Sequence, residues 1–175
     1  MDEQSSRGVW VSQTCELVGL AIWIGGLVVI IASVIPAVFN TFGGQMEPAG
    51  RFLRRVFDGY NHTVAVAVVL LVAGMAWRWW HGRRTGSIAV RPSRPELVLL
   101  AVMVGVASVI VFVFGPHAIQ LQEQAFAAQG EAAKKEAYDA FFRSHLIVRG
   151  LYILNLGFGI GLLAVKVTHW GATRE

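Results

Sequence analysis

Charge is scarce in this chain. Asp, Glu, Lys and Arg make up 15% of its 175 residues, against about 25% in ordinary soluble domains. Cys15 is the only cysteine, which excludes an intrachain disulfide and a cysteine-based metal cluster and leaves the redox compartment open. Reaction signatures are missing too. There is no nucleophile elbow, no HExxH, no Gly-rich phosphate loop and no pair of carboxylates inside an apolar run. That argues against a hydrolase or a nucleotide-driven pump, and against an enzyme in general. The formal net charge of +4 is not a nucleic-acid signal, because the basic residues gather at the ends of apolar runs. The polar stretch before Leu17, with Asp2 and Glu3, is no secretory leader, and the run after it is too long for one. No internal repeat or low-complexity tract is evident.

What the chain has is apolar length. Hydrophobic residues make up 55% of it, and they concentrate in four runs, at about 17–39, 63–80, 97–116 and 146–167. Each approaches the ~20 residues that a helix needs to cross a ~30 Å hydrocarbon layer. The expected fold is all-α: an integral membrane four-helix bundle forming a single domain over residues 1–175, with the lipid bilayer as its first partner. Small residues recur four apart at Ala21 and Gly25, Ala101 and Gly105, and Gly157 and Gly161. In lipid, such positions let helix backbones approach closely.

The connection at 82–95 carries Arg83, Arg84, Arg91 and Arg94, with Arg78 at its edge and Glu96 alone opposing them. The positive-inside rule places this loop in the cytoplasm, and an even number of spans then places both termini there, in a bacterial inner membrane. Trp10, Trp77, Trp79, Trp80 and Trp170 fall at the same interface, whereas Arg51, Arg54, Arg55, Lys134 and Lys135 oppose the assignment from the other side. Helical spacing from Pro48 to about His81 predicts that the second helix starts outside the membrane. Apolar residues recur helically through 117–144, broken at Gly130. Helices two to four are therefore expected to extend beyond the outer face, with a turn at 129–131; a helix lying on the surface is the rival.

Polar residues in the spans are the candidate sites, because ionisable groups in lipid are expensive. Arg149 shares a helical face with His145, Tyr152 and, deeper, Asn155; such a stripe points at the bundle interior or at a water-filled pocket, unless Arg149 snorkels to headgroups. His62, His117 and His145 fall near one outer boundary, where imidazoles can hold a transition metal or supply an axial ligand to haem b. The candidate cofactor-binding set is thus His62, His145, Arg149 and Tyr152, and the candidate metal set is His62, His117 and His145. No histidine pair stands four apart to strengthen either. Arg54, Asp58 and His62 allow an ion pair beside an imidazole. Glu16 and Lys166 are expected to pair and tie the first helix to the last.

Several segments, namely Leu20-Ala21-Ile22-Trp23-Ile24-Gly25-Gly26, Pro36-Ala37-Val38-Phe39, Phe57-Asp58-Gly59-Tyr60, Gly115-Pro116 and Phe142-Arg143-Ser144-His145, together resemble a bacterial four-helix membrane domain of unknown function related to transmembrane-protein-205-like proteins. The resemblance implies the fold and no chemistry. Three functions stand beside it. The first is a non-enzymatic accessory or interaction subunit of a membrane complex, for example one of electron transport, docking other membrane proteins or a second copy of itself. The second is a haem- or metal-binding redox anchor using the outer histidines. The third is a small-solute or ion pathway lined by Arg149, Tyr152 and Asn155.

Overall fold

The computed structural model describes residues 3–43, 45–87 and 90–172; Asp2 of the polar N-terminal stretch, Gly44 of the first turn, and Ile88 and Ala89 of the Arg-rich connection lie outside them. The protein is all-α, with no strand among the described residues. Helices α1 (Glu3–Val29) and α2 (Ile35–Thr41) join through a π-helical turn at Ile30–Val34, α3 runs from Met46 to Arg84, α4 (Arg94–Val109) and α5 (Gly115–Ala127) join through a second π turn at Ile110–Phe114, and α6 runs from Glu131 to Ala172. Taken as continuous rods these are four helices long and apolar enough to cross a membrane, a four-helix membrane bundle. The helices outrun the apolar runs as expected, and Gly130, at φ +87°, makes the break before α6.

Both π turns have the same cause. Pro36 and Pro116 each lack an N–H and crowd the preceding turn, so the backbone widens one turn earlier to i→i+5 hydrogen bonding. The N–H of Ile35 donates to the Ile30 carbonyl, and that of Gly115 to the Ile110 carbonyl.

The chain divides into two compact units, one formed by residues up to Ala101 together with those from Gly159 on, the other by Val102–Phe158. In the first, α1 and the start of its π turn bury Glu16, Leu20, Trp23, Leu27 and Ile30, and α3 buries Tyr60, Val64, Ala67, Leu71, Gly74 and Arg78. Both series alternate steps of four and three, the seam of a left-handed helix pair. Small residues set its closeness: a Cβ on Gly19 would lie 2.8 Å from the Ala67 carbonyl oxygen, and one on Gly26 would lie 2.9 Å from the Tyr60 ring. The Tyr60 hydroxyl donates to the Trp23 carbonyl at 2.9 Å. In the second unit, Met103, Ile110, Ala125, Gln122, Ser144 and Asn155 are buried, and the Asn155 amide donates to the Met103 carbonyl at 3.3 Å.

The expectation of no internal repeat is corrected by this register. At a constant offset of 80 residues, Glu16, Leu17, Val18, Leu20, Ala21, Gly25, Val29, Ile30 and Pro36 meet the identical residues Glu96, Leu97, Val98, Leu100, Ala101, Gly105, Val109, Ile110 and Pro116. The two π turns coincide under the same offset, as do the two carbonyls, Trp23 and Met103, that accept from the following long helix. Most matches are apolar residues in apolar runs, which is why composition hides them; Glu, Gly and Pro mark the frame.

Candidate functional site

Four ionisable side chains, one from each long helix, meet inside the first unit. Glu16 lies on α1, Arg78 near the end of α3, Glu96 at the start of α4 and Lys166 near the end of α6. All are closed off, with 0% or 1% side-chain exposure. Arg78 Nη1 donates to Glu16 Oε2 and to Glu96 Oε2, both at 3.0 Å, and its Nε donates to the Val90 carbonyl at 3.1 Å. Lys166 Nζ donates to Glu96 Oε2 at 3.0 Å and also to Glu16 Oε2. The Trp170 ring lies against both cations, 5.9 Å from the Arg78 guanidinium carbon and 5.7 Å from Lys166 Nζ. His169 brings Nδ1 within 3.2 Å of Glu96 Oε1 and is the part-exposed neighbour of the cluster, at 25%.

Each position follows from local rules. Ser93-Arg94-Pro95-Glu96 is a capping box: Ser93 caps α4, and its N–H and hydroxyl both donate to Glu96 Oε1, at 3.1 and 3.0 Å, fixing the carboxylate at the helix mouth. Glu16 and Arg78 occupy the next seam positions beyond Leu20 and Gly74. Gly74 is required there. A Cβ on it would lie 2.6 Å from Glu16 Cγ and 2.9 Å from the Ser12 carbonyl oxygen, while the Ser12 hydroxyl donates to the Gly74 carbonyl at 2.8 Å. Two acids and two bases sum to zero charge. Neutrality and shared hydrogen bonds are what make ions tolerable away from water, and removing any one leaves its partners uncompensated. Beyond holding four helices at one end, the cluster offers carboxylate oxygens with unequal company. Glu96 has partners on both oxygens, whereas Glu16 Oε1 is buried without a hydrogen bond.

The expected Glu16–Lys166 contact is present, and it is half of the cluster. Arg78 and Glu96 appeared in the sequence as loop charges. Their signals were the four-three spacing from Tyr60 to Arg78 and the capping box, neither of which requires a homologue to see.

The histidine, Arg149 and Tyr152 candidates are not members of this cluster. His62, His117, His145 and Arg149 are exposed, Tyr152 is half-buried and Asn155 is buried. His145 and Arg149 of the expected stripe are exposed and Asn155 is buried, and the buried line through this part of α6 runs Ser144, Asn155, Leu162, Lys166. His145 and Arg149 sit one position, about 100° of helix rotation, off that line. Phe141 stacks on His145 at 5.7 Å. His62 Nδ1 lies 2.7 Å from the Asp58 backbone carbonyl oxygen, within hydrogen-bond reach. Among the described residues, no three His, Cys, Asp or Glu side chains converge on a point where a metal ion could sit.

Comparison with curated proteins and with solved structures finds no match. A comparison with protein families matches residues 18–127, from the seam of α1 through α5, including Arg78, Glu96 and the two prolines that follow the π turns, Pro36 and Pro116. That stretch covers more than half of the chain, which therefore belongs to the DUF4149 family, a domain of unknown function.

Proposed function

We propose that this protein is a non-enzymatic accessory or interaction subunit of the bacterial inner membrane, with both termini in the cytoplasm, which docks neighbouring transmembrane helices on its small-residue faces. The supporting observation is the division among its glycines. Gly8, Gly19, Gly26, Gly74 and Gly82 sit where a Cβ would press on another part of the chain, but Gly25, Gly105, Gly157 and Gly161 have nothing within 4 Å. Glycine inside a helix costs about 1 kcal/mol relative to alanine, and the chain's own packing gives these four no return. Close approach by a helix from another molecule does. The likeness to transmembrane-protein-205-like proteins is part of this proposal and adds no chemistry to it. A haem or metal anchor has no converging ligand set behind it among the described residues, and a solute path along Arg149 has that residue on an exposed face.

A photocrosslinking residue in place of Val28, which is exposed beside Gly25, tests the reading in living cells. Protein adducts that disappear in the Gly25→Leu variant support it. Adducts to lipid alone refute it.

A further inference from the structure

The duplicated frame makes Glu16 and Glu96 the same position in two copies, which allows their environments to be compared directly. Both carboxylates give Oε2 to Arg78 and Lys166. Their other oxygens differ. Glu96 Oε1 takes two hydrogen bonds from Ser93 and has His169 Nδ1 at 3.2 Å. Glu16 Oε1 has no hydrogen bond, although the residue is 0% exposed. Position 13, which the 80-residue offset aligns with Ser93, is Gln13 inside α1, so the first copy has no cap to offer its acid.

We propose that Glu16 is the proton-binding site of the cluster and Glu96 its permanently charged counterpart. A proton arriving on Glu16 Oε1 displaces no hydrogen bond, whereas one arriving on Glu96 must displace Ser93 from Oε1 or a cation from Oε2. Glu16 Oε1 and the Ser12 carbonyl oxygen both border the space beside Gly74, 3.2 and 2.9 Å respectively from the point a Gly74 Cβ would occupy. The groups that face Glu16 are Arg78 from α3 and Lys166 from α6, with Glu96 from α4 sharing both cations. Protonation leaves those two cations shared around Glu96 alone, with His169 next to it. The step binds one proton and neutralises one carboxylate; it makes and breaks no other covalent bond. This site stands apart from the docking faces and does not depend on them.

Infrared difference spectroscopy of the full chain in liposomes, acid minus neutral, reads the proposal directly. The wild-type-minus-Glu16→Gln double difference removes the exposed carboxyls and is expected to contain one carboxylic-acid C=O band that shifts in heavy water. The same band is expected to remain in the charge-balanced double variant Glu96→Gln with Lys166→Met, in which Glu16 keeps Arg78 as its partner. Its persistence in Glu16→Gln, its loss in that double variant, or the absence of any such band overturns the proposal. Should Glu16→Gln not fold, Glu16→Asp keeps the acid and shortens it: a displaced band supports the assignment, and an unmoved band overturns it.

Discussion

Arg78→Met takes one cation out of the cluster while keeping most of the side chain's volume. The arginine is 1% exposed and donates three hydrogen bonds, to Glu16, Glu96 and the Val90 carbonyl. Methionine replaces none of them and leaves two buried carboxylates to a single lysine. Breaking a buried ion pair by removing one partner costs about 3–5 kcal/mol, and that is the expected loss in an unfolding titration from mixed micelles with increasing anionic detergent. The double variant Arg78→Met with Glu16→Gln restores charge balance, since Glu96 and Lys166 then face each other one to one. Its loss is expected to be smaller than the sum of the single losses by about 0.5–3 kcal/mol, the range of coupling within one network. A single-variant loss below about 1 kcal/mol, or a double variant at the plain sum, would refute the view that these four charges act as one unit.

Other expectations follow from individual contacts. Gly74→Ala drives a methyl into Glu16 Cγ and the Ser12 backbone and should destabilise by about 1–3 kcal/mol in the same titration, whereas Gly25→Ala meets nothing within 4 Å and should be neutral or stabilising by up to about 1 kcal/mol. Equal effects at the two glycines would contradict the seam described for α1 and α3. Tyr60→Phe removes the hydroxyl that bonds the Trp23 carbonyl and should lower stability by about 1 kcal/mol; no change would show that this bond is not formed in the membrane.

The spans, their number and their overshoot past the apolar runs were legible because length and hydropathy are properties of segments. The break at Gly130 was legible because glycine admits a positive φ. The site was only half legible. Glu16 and Lys166 stand out as lone charges at the ends of apolar runs, so their contact could be expected. Arg78 and Glu96 stand among Trp79, Arg83, Arg84, Arg91 and Arg94, where a charge reads as part of a solvated loop. Only the seam spacing and the Ser93 cap show that these two point inward. His145 and Arg149 lie beside the buried line rather than on it: one position along a helix turns a side chain by about 100°, so polarity alone does not say which of two neighbours faces inward. The 80-residue repeat escaped because apolar runs resemble one another at any offset, until the Glu, Gly and Pro positions are required to coincide.

The central claim is that residues 150 positions apart, Glu16 and Lys166, touch at one end of the four helices. Glu16→Cys with Lys166→Cys, in a Cys15→Ser background, tests it in native membranes and leaves Arg78 and Glu96 as a balanced pair. A contact between two long side chains leaves the backbones farther apart than a disulfide spans, so a membrane-permeant bifunctional thiol reagent with a reach of about 10 Å is expected to join the two cysteines within one chain. Treated membranes with no such product, although both cysteines react with a monofunctional thiol reagent after unfolding, would contradict the claim.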